Sequence, residues 1–299
     1  MRERACATAS ALVLEDERVV VLLSEISVPL FREAQRAHPE RVVNVGIMEQ
    51  ALIGVAAGWA MEGFLPIVHT LAPFLVERPF EQLKDDFGYQ CLGGTFISVG
   101  ASYDYSTEGT THHAPGDVAL LCTIPGFEIL VPGTAYEAER LIRATYANGR
   151  PTYVRTSTRE NERSFEICPG VIEVVRTGAR ATVIAVGSML RPTLAATEGL
   201  DVTVLYATSV FPFDAPTLRR EARDSIVIVE PFLEGTLAPR VVDALEARRP
   251  VRIASIGVPR RNLDGYGSPK NLDLVAGLDD ARIEHRIRAF IEGPGRADA

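Results

Sequence analysis

Cysteine is scarce in this chain. Cys6, Cys91, Cys122 and Cys168 are scattered through 299 residues and no two form a C-x-x-C pair. That usage excludes a disulfide-stapled scaffold and fits reduced, structural thiols in the cytoplasm. Basic charge is not in surplus either: 31 Lys and Arg stand against 39 Asp and Glu, a net −8. With no basic run and no aromatic-interleaved basic patch, nucleic acid is not an expected partner. No apolar stretch approaches the roughly 18 residues of a membrane span, and no apolar signal core opens the chain. The G-x-G-x-x-G and P-loop signatures and the G-x-S-x-G elbow are missing as well, which excludes the common stand-alone nucleotide folds.

What is present describes an ordinary globular protein. Hydrophobic residues make up 46% and charged residues 23% of a chain long enough for two domains. Short apolar runs alternate with helical segments, the rhythm of an α/β fold with mostly parallel sheets. Residues 19–23, 42–45, 65–70, 94–99, 129–132 and 151–155 read as strands, with helices expected over 4–15, 47–61, 73–89 and 136–148. The rhythm resumes with strands at 181–187, 202–206 and 225–230. Between the two sets lies a polar stretch that ends on the Pro169-Gly170 turn signal. The reading is two domains, each a mostly parallel sheet flanked by helices: 1–160, a linker 161–178, 179–293, and a tail 294–299.

The segment Asn44-Val45-Gly46-Ile47-Met48-Glu49-Gln50 sets one carboxylate in the first turn of a helix of small and apolar residues. The helix macrodipole favours an acid there. Among Val45, Ile47, Ala51 and Ile53, however, the charge is costly to desolvate unless something hydrogen-bonds it. A second constellation, Tyr105-Ser106-Thr107-Glu108-Gly109-Thr110-Thr111-His112-His113-Ala114-Pro115-Gly116-Asp117, follows the 94–99 strand. It therefore falls at a strand's carboxyl end, the edge where ligands collect in open α/β sheets. His112 and His113 are adjacent and point in different directions, so no metal site is expected. A histidine titrating near neutrality suits proton transfer.

Taken together, NVGIMEQALIGVAAGWAMEG, EGTTHHAPGDVALL, IPGFEILVPGTAYEAERLI and PTYVRTSTREN resemble the transketolase family of thiamine diphosphate enzymes. The resemblance covers that family's pyrimidine-binding domain over roughly residues 1–160. It continues through SVFPFD, IVIVEP and GYGSPKNLDLVAGLD into the transketolase C-terminal domain. It implies that Glu49 hydrogen-bonds the ring nitrogen of the cofactor's aminopyrimidine and favours the imino tautomer of its exocyclic amine, which then takes the thiazolium proton. It also implies that Leu71 and Phe74 pack on the aminopyrimidine and that Ala51, Gly54, Ala57, Gly58 and Ala60 let the helix pack closely. By the same resemblance, His112 contacts a substrate oxygen and relays a proton, His113 lies beside it, and Arg159 holds a phosphate.

The departures carry information too. Glu108 stands where transketolases usually have aspartate, and the extra methylene moves the carboxylate by more than about one ångström. No histidine occurs at 100–104, where many transketolases keep one near the substrate phosphate, so Arg159 and Arg4 remain as anion contacts. These residues also hold no G-D-G diphosphate motif. The expectation is one subunit of a split transketolase, sharing thiamine diphosphate with a separate diphosphate-binding N-terminal subunit that carries the Mg²⁺, in a two-plus-two heterotetramer. Such an enzyme moves a two-carbon ketol unit between sugar-like substrates. The alternatives are a deoxyxylulose-phosphate synthase-like enzyme, a 2-oxoacid dehydrogenase beta-like subunit, or a non-catalytic partner subunit.

Overall fold

The computed structural model describes residues 1–246 and 250–293; the expected tail, 294–299, lies outside the described residues. Twelve strands among them form two sheets. The first holds β1 (Val19–Leu23), β2 (Val42–Asn44), β3 (Leu65–Leu71), β4 (Gly94–Val99), β5 (Glu128–Leu130) and β6 (Pro151–Arg155). The second holds β7 (Ile172–Arg176), β8 (Ala181–Val186), β9 (Val202–Ala207), β11 (Ser225–Leu233) and β12 (Arg252–Val258), while β10 (Ser209–Phe211) joins the first. The orders are β10-β5-β6-β4-β3-β1-β2 and β12-β11-β8-β9-β7. Every pairing is parallel except β10 with β5 and β7 with β9, both at sheet edges. β1, β4, β8 and β9 are buried at every position, as expected of parallel strands covered on both faces, and this is why they read as unbroken apolar runs.

Three strands escape the sequence reading, β12 (Arg252–Val258) beside β11 and the two that follow. β7 lies inside 161–178, the expected linker, and β10 pairs Ser209 with Leu130 and Phe211 with Ile129, so a segment from the second half completes the first sheet. β7 and β10 are short, and their pairing partners are distant or antiparallel. The expected helix over 73–89 is instead wound in wide π-type turns, Pro73–Glu77 and Leu83–Tyr89, around a short α-turn at Phe80–Gln82. Pro79 has no N–H to continue the regular ladder there. The helix expected from 47 begins at Glu49, because Gly46 turns the chain at φ +81°, a conformation that favours glycine.

A sealed ion pair fixes the 100–117 loop. Asp117 and Arg155 are 0% and 2% exposed, and Arg155 Nε donates to Asp117 Oδ2 at 2.7 Å. Tyr153 Oη also donates to that oxygen at 2.7 Å, and Val118 N–H donates to Oδ1 at 2.8 Å. Arg155 Nη2 donates to Ser102 Oγ at 2.8 Å, and Ser102 Oγ donates on to the Pro231 carbonyl in β11. Leu233 N–H returns to the Pro115 carbonyl at 2.8 Å. The loop is thus clamped between β6 of one sheet and β11 of the other.

His69 in β3 is a buried histidine of a different kind. Its Nδ1 lies 2.9 Å from the Ile97 carbonyl, which can only accept, so Nδ1 carries the proton and Nε2 accepts from Ser27 Oγ at 2.8 Å. Burial pushes its pKa down to about 4, further lowered by Arg2 and opposed by the Ile97 bond. The unfolded chain then binds the extra proton, so this group's contribution is present above pH ~6.5 and is lost as pH falls towards 4.

Two outcomes are expected. Asp117→Asn leaves the Arg155 charge buried and unmatched and destabilises the chain by about 3–5 kcal/mol in urea unfolding, whereas Asp117→Leu with Arg155→Met recovers most of the loss. The stability gap between the parent and His69→Gln is widest above pH ~6.5 and narrows by on the order of 3 kcal/mol as pH falls to 4; a constant gap would exclude a buried neutral His69.

Candidate active site

Because β2, β3, β4 and β6 run parallel, their carboxyl ends meet on one edge of the first sheet, and each delivers a segment there. β2 leads into the turn before Glu49. Asn44 Oδ1 accepts from Gly46 N–H and Glu25 N–H, each at 3.1 Å, and Ser24 Oγ donates to the Gly46 carbonyl at 2.8 Å. The turn so fixed starts the helix Glu49–Met61 with Glu49 only 2% exposed. From β3 come Leu71, half-buried at the strand's end, and Phe74 and Arg78 on the π-turns that follow. Arg78 Nη1 donates to Glu49 Oε2 at 2.6 Å, and its guanidinium carbon lies 4.0 Å above the Phe74 ring.

β4 supplies the loop with the histidines. Phe74 and His112 meet edge to face, with centroids 5.1 Å apart at 73°. Thr111 Oγ1 lies 3.0 Å from His112 Nδ1, and the Tyr105 ring stands 6.5 Å from His112. Gly100 opens this loop at φ +77°, and a Cβ there would sit 2.4 Å from Tyr105 Cδ2, so both backbone and packing require glycine. Glu49, Arg78, Phe74 and His112 therefore form one continuous line of contacts.

A second group lies next to the first. His113 is buried, its ring 6.4 Å from that of Tyr103, and its Nε2 finds no hydrogen-bond partner. Burial, then the neighbouring His112, lower its pKa. Arg159 is turned to the Asp273 carboxylate on the helix Pro269–Ala276 and to Tyr103 Oη at 3.4 Å. Tyr103 Oη itself donates to Asp273 Oδ1 at 2.6 Å. Asp104 accepts from Thr158 N–H and Oγ1, each at 2.9 Å, which holds the turn bearing Arg159. Glu108 is exposed on the same loop, and Arg4 is engaged elsewhere, paired with Glu139 at 2.5 Å.

The structure thus brings Glu49, Phe74 and His112 together and sets His113 and Arg159 around Tyr103 beside them. Arg78 was missed by the sequence reading, although its four-residue spacing from Phe74 in a stretch read as helical places the two on one face. Of the small residues on the Glu49 helix, Ala57 is buried and Ala60 half-buried, while Ala51, Gly54 and Gly58 are exposed. Among the described residues no cluster of three His, Cys, Asp or Glu could hold a metal ion, and no helix is long and apolar enough to cross a membrane.

Comparison with known proteins agrees with this architecture. The family profile described as the transketolase pyrimidine binding domain matches residues 1–163, and that of the transketolase C-terminal domain matches 170–283. An uncharacterised 33.6 kDa protein in a fasciation locus of Rhodococcoides fascians is 40% identical, covering 95% of this chain and 92% of that protein. One subunit of the apulose-4-phosphate transketolase of Actinobacillus succinogenes is 28% identical over 81% of this chain and 82% of its own. The 1-deoxy-D-xylulose-5-phosphate synthase of Leptothrix cholodnii is 34% identical over 86% of this chain, which spans only 42% of that enzyme. A solved structure of a split gene transketolase as an inactive beta4 tetramer superposes with a TM-score of 0.86 at 26% identity, covering 97% of this chain and 98% of that one. The two sheets, their order and these matches together make the chain a member of the transketolase family.

Proposed function

We propose that this chain is one subunit of a split, thiamine diphosphate-dependent transketolase-like enzyme that moves a two-carbon ketol unit between sugar or sugar-phosphate substrates. The observation that carries the reading is Glu49: a carboxylate 2% exposed at a helix start, bonded to the Arg78 guanidinium that lies over Phe74, whose ring in turn meets His112. These residues fit an aminopyrimidine, since a planar N–H donor, the Arg78 guanidinium, already lies on Phe74 and bonds Glu49. Glu49 would hold the cofactor's ring nitrogen, with Leu71 and Phe74 packing on the ring. Thiamine diphosphate, when bound, lets a carbonyl carbon react as a nucleophile.

The remaining roles belong to the chain's own side chains. His112 holds or moves a proton at the substrate oxygen, its Nδ1 oriented by Thr111 Oγ1. His113, with an unpartnered buried Nε2, has hydrogen-bonding capacity left for a polar ligand. Glu108 and Arg159 would define the hydroxyl and anionic ends of the substrate. The division into a pyrimidine-binding domain at 1–160 and a C-terminal domain at 179–293 goes with this reading.

A diphosphate-binding subunit with Mg²⁺ would complete each site, in a two-plus-two assembly. Support comes from the outer side of the Glu49 helix, where Ile47, Met48, Val55 and Met61 are exposed and Val55, Gly58, Trp59, Glu62 and Phe64 line a shallow groove. Two of the similar proteins point the same way, one being a single subunit of an apulose-4-phosphate transketolase and the other a split gene transketolase. The identity to a deoxyxylulose-phosphate synthase keeps a condensation on pyruvate as the second reading.

Reconstitution with a diphosphate-binding subunit, thiamine diphosphate and Mg²⁺ tests the proposal. Ketol transfer from a ketose to an aldose is expected, falling by at least about 100-fold in Glu49→Ala. Turnover by Glu49→Ala at the parental rate would rule out the assigned role, and carbon dioxide release from pyruvate would favour the second reading. Glu108→Asp is expected to shift KM among sugar donors while changing kcat less than about tenfold.

A further inference from the structure

Arg78 has no role in the function proposed above, yet it occupies the middle of the site. It makes two contacts at once: Nη1 donates to Glu49 Oε2 at 2.6 Å, and the guanidinium carbon lies 4.0 Å over the Phe74 ring. A guanidinium is a flat, delocalised, nitrogen-rich group that stacks on aromatic faces and presents N–H donors in its own plane. An aminopyrimidine has the same outline, the same stacking face and a comparable edge of nitrogen groups. The two cannot occupy this place together.

The energetics favour such an occupant in the free chain. Glu49 is 2% exposed, and a carboxylate so enclosed is strongly disfavoured without a partner. Arg78 supplies the partner while its own side chain remains 36% exposed, so the guanidinium already borders water. Phe74 is also held by the edge-to-face contact with His112.

We infer that Arg78 is a placeholder in this site: in the free chain its guanidinium fills the position an aminopyrimidine takes against Glu49 and Phe74, and it swings out to solvent when that ligand enters. The inference rests on the cofactor reading above and adds to it a positioning residue and a reason for weak uptake by the free chain. A site whose competent state is only fractionally populated binds more weakly by that fraction.

The experiment uses the full chain alone, with hydroxymethylpyrimidine, the aminopyrimidine half of thiamine, as the probe. Calorimetry or ligand-observed NMR is expected to give at least about tenfold tighter binding to Arg78→Ala than to the parent, and loss of that gain in Arg78→Ala combined with Glu49→Ala. Equal affinities for parent and Arg78→Ala, or no binding to either, overturn the inference. Should Arg78→Ala fail to fold, the parent itself decides. The Arg78 Nη–H resonances, of which Nη1 donates to Glu49 in the free chain, are expected to exchange with water faster once the reconstituted complex binds thiamine diphosphate, and an unchanged rate overturns the placeholder. Glu49-dependent ketol transfer with equal probe affinities would sink the placeholder alone. Probe binding released by Arg78→Ala, in a complex without ketol transfer, would sink the proposed reaction and leave the placement of Arg78 standing.

Discussion

The sealed pair of Asp117 and Arg155 is the constraint on which the site's geometry depends. Neither charge has water to solvate it, so each must be matched within the protein, and the match extends to Tyr153, the Val118 N–H, Ser102 and the Pro231 carbonyl. An ion pair this deeply buried contributes little net stability over apolar packing of the same volume. Its value lies in having one satisfactory arrangement. The loop from Gly100 to Asp117 passes between β6 and β11 and must follow the hydrogen bonds that those strands offer. His112 and His113 inherit their positions from it.

The two sheets are coupled at a second point by the same kind of device. Glu137, fully buried, accepts from Tyr206 Oη at 2.6 Å, from Gly133 N–H at 2.9 Å and from Phe165 N–H at 3.0 Å. Burial raises its pKa while these bonds oppose the shift. Asn161 donates to the Gly187 carbonyl at 3.0 Å, so the stretch between the two sheets is bonded along its length and does not hang free. With β10 added to the first sheet, the halves of the chain are interlocked through backbone and polar side chains together.

Much of this architecture was legible in the sequence because its signals are local. Parallel strands buried on both faces read as short apolar runs, and β1, β8 and β9 lie where such runs occur. Glu49 was conspicuous as a charge among small residues, and Phe74 and His112 were named by the motifs around them. What stayed hidden depends on distant partners. β7 and β10 have a partly exposed edge or only three residues, and only their pairing with β9 and β5 makes them strands. The Arg159 to Asp273 contact spans the two halves of the sequence, and no local pattern announces it. The π-turns after Pro73 changed the wind of the chain but kept Phe74 and Arg78 on one face.

The Glu49 helix shows how one element can serve two surfaces. Leu52, Ile53, Ala56 and Ala57 are buried against the sheet and hold the helix rigidly on it. Its opposite side carries Ala51, Gly54, Val55 and Gly58, small or slender residues that leave the backbone close to the surface. Only Glu49, at the end where the two sides meet, is both buried and charged, and a group in that position feels whatever packs on either face. Its partner in the free chain, Arg78, comes from the solvent side rather than from the core. A carboxylate matched from the core would be fixed for good, whereas one matched by a side chain with a route to water can exchange that partner for a ligand. The polarity of the pair, acid buried and base exposed, is therefore what would let Glu49 change partners in the way inferred above.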